Sequence, residues 1–160
     1  MPQDTDGNLT AHDPWVIRTF DDRPELWNSL KDRIAAPVGL FGFRANVKFV
    51  DDSKYYGLVG IDLVNALPAG YPGGFVFVAD GDTTPDNEDT ITLIYFYPNS
   101  TNPADYERPP SAVPAADLRS VRHLPHVVQE LENNLSIANI DMTDVQNGLP
   151  ADGIYRGIDQ

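Results

Sequence analysis

Apolar residues fall in short runs along the chain, and two spacings alternate between the runs. Trp15–Thr19 is a β-branched and aromatic run that predicts a first strand, and it leads into Asp21-Asp22. Leu26, Leu30 and Ile34 then recur every fourth residue with Trp27 beside them, which is one face of a helix. The stretch Asp22-Arg23-Pro24-Glu25 has the form of a helix start, with Asp22 as the expected cap, and Pro37 and Gly39 close the helix. Ala45–Val50 alternates and predicts a second strand, ending in Asp51-Asp52. A weaker helix over Ile61–Leu67 places Leu63, Val64 and Leu67 on one face before Pro68.

Phe75–Ala79 is apolar throughout, as suits a strand covered on both faces, and it ends in Asp80. Thr90–Tyr97 predicts a fourth strand, and the polar segment 81–89 is too short for a helical crossover, so strands three and four are expected to be antiparallel. Leu118–Leu124 alternates in kind and can form a fifth strand. Pro125 then opens a helix to about Ala138, with Val127, Val128, Leu131 and Leu135 inward. Asp141 caps a short last helix stopped by Gly148, and an Ile154–Ile158 run follows the Asp152-Gly153 turn. The order predicts a single α/β domain over 14–160, with a mixed sheet whose parallel strands come first and whose antiparallel extension comes later. Residues 1–13 read as a disordered leader, and the Pro-rich stretch 99–114 reads as a loop of the kind that forms lids or binding loops.

Composition narrows the function classes. With 11 Lys and Arg against 24 Asp and Glu among 160 residues, the formal charge is −13. That balance argues against nucleic acid and against an anionic membrane surface, because both need clustered cations. Cysteine is absent, which removes disulfides, thiol nucleophiles and thiolate metal sites. The polar N-terminus has no apolar signal segment, and no apolar run reaches spanning length, so a soluble cytoplasmic protein is expected.

The acids have a position as well as a number. Strand one leads into Asp21-Asp22, strand two into Asp51-Asp52, and strand three into Asp80 and Asp82. In open parallel sheets the ligand crevice lies outside the carboxyl ends of the strands. Asp21, Asp52 and Asp80 are therefore candidate acid–base residues, and Asp51, Asp52 and Asp80 candidate ligands for Mg²⁺ or Ca²⁺, although no cofactor is required. Asp is also a common turn and cap residue, which is the bland alternative for all of them. His123 or His126, in the locally basic stretch Arg119–His126, is a candidate general base, with an exposed strand edge as the bland alternative. The acids invite comparison with phospho-receiver domains, but no lysine follows the late strands, since the lysines are Lys31, Lys48 and Lys54. Phosphate-binding glycine loops and a serine nucleophile elbow are missing too.

Asn133-Asn134 lies inside an otherwise good helix, a local inconsistency of the kind found at polar networks. Together the segments Val16–Thr19, Phe49–Asp52 with Tyr56-Gly57, Phe75–Asp80, Asn133–Asp141 and Gly153–Gly157 resemble a small bacterial family, domain of unknown function 6924. Two segments depart from the family pattern: Phe20-Asp21 stands where the family has Asp-Phe, and Ile140-Asp141-Met142 where it has Met-Asp-Phe. The resemblance implies a stand-alone soluble domain in which Arg18, Asp52, Asp80, Asn134, Asn139 and Arg156 form one network; Arg18, Asn134, Asn139 and Arg156 are its candidate binding residues. The reading expected for the chain is an acidic domain that binds a basic partner protein, with a small metabolite enzyme as the alternative.

Overall fold

A computed structural model describes residues 13–158. Six strands, β1 (Trp15–Arg18), β2 (Lys48–Val50), β3 (Phe75–Ala79), β4 (Ile91–Tyr95), β5 (Arg119–His123) and β6 (Ile154–Tyr155), form one sheet in the order β2-β1-β3-β4-β5-β6. β1 is parallel to both β2 and β3, β4 is antiparallel to its two neighbours, and β6 is parallel to β5. The helices are α1 (Pro24–Ala35), α2 (Gly60–Ala66), α3 (Val128–Ser136) and α4 (Met142–Asn147). The fold is thus the expected mixed α/β sheet. The leader, but for Asp13, lies outside the described residues. Among those residues, no helix is long and apolar enough to cross a membrane.

Strand parity divides the core into two layers. Phe75, Phe77 and Ala79 join Val16, Leu93 and Val121 under α1, α3 and α4. Val76 and Val78 face the other way, with Ile17 and Ile94, under α2. Both faces of β3 are covered, which is why that run carries no polar residue. The chain steps from β1 outward to β2 and then back across β1 to β3, so crossovers of one hand place α1 and α2 on opposite faces. The β5-to-β6 connection steps the same way as β2-to-β3 but carries its helices on the α1 face, so its hand is opposite. β6 pairs through two residues and contributes little strand twist to enforce the usual hand.

Several local expectations change. The 99–114 stretch is not a structureless excursion: it makes short 3₁₀ turns and buries Pro110 and Val113 beside α2. Asn65 on α2 donates to the carbonyls of Pro110 (2.8 Å) and Val113 (3.2 Å), which pins the segment over the sheet. α1 is not capped by Asp22. Its cap position is Arg23 in a left-handed conformation (φ 52°), and the Asp22 carboxylate accepts instead from Arg23 Nε. Asp141 does cap α4, in a reciprocal box with Asp144. The helix expected from Pro125 begins as a 3₁₀ turn and becomes α-helical at Val128.

Candidate functional site

Because β4 alone runs against the other strands, one edge collects the segments that follow β1, β2, β3, β5 and β6. All the candidate acids lie on that edge, but they are not brought together. Among the described residues, no group of three or more His, Asp or Glu side chains could hold a metal ion. Asp51, Asp52 and Asp80 each have a partner of their own instead.

Asp51 accepts from the Tyr56 hydroxyl and from Arg18 Nη1 (3.0 Å). The Tyr56 bond, then Arg18, holds the Asp51 carboxyl below its usual range against the opposing effect of burial. Arg18 is buried at the end of β1; its second Nη donates to the Asp22 carbonyl (2.8 Å), and its guanidinium lies over the rings of Phe20 (5.1 Å) and Tyr56 (5.4 Å). Asp52 is a cap: it accepts from the Lys54 amide and lies 3.9 Å from Lys54 Nζ. Asp80 is gripped by Arg122 Nη1 at 3.1 and 3.0 Å and also accepts from Thr92 Oγ1 and the Asp82 amide. The same guanidinium donates to the hydroxyl and the carbonyl of Thr90, so one side chain from β5 clamps β3 to β4.

His123 points away from this edge into the core. Its ring stands edge-on to Phe77, its Nδ1 donates to the Leu124 carbonyl (2.8 Å), and Nε2 has no partner. Burial pushes the imidazole down to about 4. A histidine sealed this way has no route to a substrate at the crevice, which removes the basis for giving it a general-base role.

The residues proposed as one network separate into five. Besides the groups around Asp51, Asp52 and Asp80, Asn134 accepts from the side chain (2.8 Å) and backbone (2.9 Å) of Asn139 and donates to the Glu130 carbonyl. This closes the α3–α4 turn, where Ala138 takes φ 56°. Arg156, beyond β6, ties Asp152 (2.7 Å) to Glu88 (2.7 Å) in the 80–89 turn.

What remains on the carboxyl edge is a crevice of about 520 Å³ at the end of β1, flanked by β2 and β3. Its place is the point where the strand order reverses, the usual ligand position in open α/β sheets. Residues 19–23, 56–59 and Gly81 line it. Leu58 and Val59 give it apolar surface, Phe20 is buried beneath Arg18 and Arg23, and Asp21 and Asp22 give an exposed acidic rim. Arg23 is also at the rim, but its cation is taken up by Asp22 (3.1 Å) and by the Thr83 carbonyl (2.7 Å). Among the described residues, no Lys or Arg pairs with Asp21, the one site residue of the sequence reading that faces open crevice. Gly57 (φ 78°) donates to the Thr19 carbonyl (2.8 Å), so the loop after β2 is fastened across the end of β1.

Sequence reasoning missed Phe20, Arg23, Tyr56 and Val59 as crevice residues. The usable signal was topological: the segments that follow β1 and β2 meet wherever both strands are parallel neighbours.

No curated protein and no solved structure matches the chain. A sequence profile described as domain of unknown function (DUF6924) matches residues 13–158, nearly the whole chain, and the chain belongs to that family.

Proposed function

We propose that the domain binds a partner protein through the carboxyl-edge crevice, without catalysis, and that the partner supplies a basic segment with an apolar side chain next to its cation. The observation that carries this reading is the pairing of the free Asp21 carboxylate with apolar Leu58 and Val59 in one cleft. A cation on an apolar stem, Lys or Arg, matches both halves of that lining. The net charge of −13 adds long-range attraction for a basic partner and speeds encounter. The metabolite-enzyme and metal alternatives have less support, since Asp51, Asp52 and Asp80 each bond to a different group and His123 is enclosed.

Fluorescence anisotropy with a labelled peptide carrying Arg, Lys, Phe and Leu tests the reading. Reversing Asp21 and Asp22 to Lys is expected to weaken binding by roughly 30-fold or more, since close rim charge pairs are worth about 0.5–1 kcal/mol each and become repulsive. Rising salt should weaken the wild-type complex. Unchanged affinity in the reversed variant counts against the crevice as the binding surface.

A further inference from the structure

Beyond the far end of α1, the connection to β2 projects a tip of unusual composition. Val38 and Phe43 pair through both backbone hydrogen bonds, at 2.7 and 2.9 Å, and Gly39 and Gly42 take positive φ between them. The bend this produces holds Leu40, Phe41 and Phe43 out into solvent, 95%, 80% and 58% exposed. Three large apolar side chains on one projecting turn cost hydration in a lone monomer and mark an interaction site. The charge is as unusual as the apolarity. Residues 33–50 contain Arg33, Arg44 and Lys48 and no Asp or Glu, in a chain of net −13. Arg33 is paired with Asp89, while among the described residues Arg44 and Lys48 meet no carboxylate.

The tip therefore has the chemistry that the crevice is proposed to accept: apolar side chains with cations beside them. The crevice offers the complement, an acidic rim at Asp21 and Asp22 and apolar surface at Leu58 and Val59, the latter 67% exposed. The two features are held apart by α1, since the crevice residues 19–23 precede this 12-residue helix and the tip follows it, about 18 Å further along at 1.5 Å per residue. One copy cannot satisfy itself. We infer that a second copy of this chain is a partner, its Leu40-Phe41 tip seated in the Asp21–Val59 crevice with Arg44 facing the acidic rim. This rests on the crevice reading above and names its occupant by local complementarity; two chains of net −13 repel at long range, so moderate salt should favour this self-contact. Tip and crevice are different surfaces, so the contact is head to tail, and each added copy leaves one tip and one crevice open.

Sedimentation velocity on the full chain tests this with two variants at exposed positions, Phe41→Asp on the tip and Asp21→Lys with Asp22→Lys in the crevice. Wild type should associate as concentration rises and pass beyond the dimer. Each variant alone should stay monomeric, with association weakened by roughly tenfold or more. An equimolar mixture should form a dimer and stop there, because the tip variant still has its crevice and the crevice variant still has its tip. Wild type that stays monomeric, a variant that still assembles, or a mixture that stays monomeric overturns the inference. A peptide of residues 38–48 and an unrelated basic–apolar peptide separate the two proposals. If the unrelated peptide binds the wild-type crevice while the chain fails to assemble, the self-contact falls and the crevice reading stands. If neither peptide binds, both fall.

Discussion

Acidification should destabilise this protein well above the pH at which carboxylates titrate, and His123 is the reason. The ring is fully enclosed, and burial lowers its pKa from 6.5 to about 4. The unfolded chain takes up this proton near 6.5 and the folded chain only near 4, so between those values the unfolded state binds more protons. Stability from this source is complete above pH 6.5 and falls as pH drops through the window, by at most about 1.4 kcal/mol per pH unit and about 3 kcal/mol in all. Glu132 acts in the opposite sense: burial raises its pKa above 4.5, so acid relieves an unfavourable charge. Asp51 is held below 3.8 in the fold, so its contribution persists through the window and is lost at lower pH. The assay is urea unfolding followed by tryptophan fluorescence at pH 7, 6 and 5, for wild type and for His123→Phe. The variant keeps an aromatic ring against Phe77 and gains no proton, so the difference between the two curves isolates His123. Wild-type stability that is level between pH 7 and 5, or a variant with the same fall, refutes the reasoning.

Three further outcomes follow from the same geometry. Asp51→Ala leaves the buried Arg18 guanidinium with the Asp22 carbonyl as its acceptor and should cost about 2 kcal/mol by urea midpoint, with part restored when Arg18→Met is added. Asp80→Ala and Arg122→Ala should be strongly non-additive, with a coupling of about 1–3 kcal/mol in a double-mutant cycle; additive costs would mean the clamp is not a unit. Gly74→Ala should cost about 2 kcal/mol, because a Cβ there would come within 2.6 Å of both Tyr97 Cδ atoms, and Tyr97→Ala should suppress the loss in a thermal melt.

Periodicity located β1 to β5 and all four helices because each carries its own apolar face, whatever its neighbours do. It failed where structure depends on distant residues. β6 is two residues long and is defined by pairing with Arg122 and His123, so the Ile154–Ile158 run had no strand signature of its own. Pro110 and Val113 look isolated in the Pro-rich stretch until α2 supplies Asn65 and an apolar face.

The candidate site divides along the same line. That the acids gather on one edge was legible, since it needs strand order alone. Which acid is free was not: Arg18 and Asp51 are 33 residues apart, and Arg122 and Asp80 are 42 apart. Their pairing follows from register, which hydrophobic pattern does not encode. The burial of His123 was legible too. Within β5, Val121 and His123 share a face by strand parity, and the valine marks that face as core.

The most direct test of the account is an NMR titration of the isotopically labelled chain with the basic–apolar peptide, following backbone amides along the carboxyl edge. Binding in the crevice predicts saturable shifts confined to residues 19–23, 56–59 and Gly81, suppressed by salt and lost when Asp21 and Asp22 are reversed to Lys. Peptide-induced shifts elsewhere on the surface with the crevice amides unmoved, or no shifts at all, would contradict it.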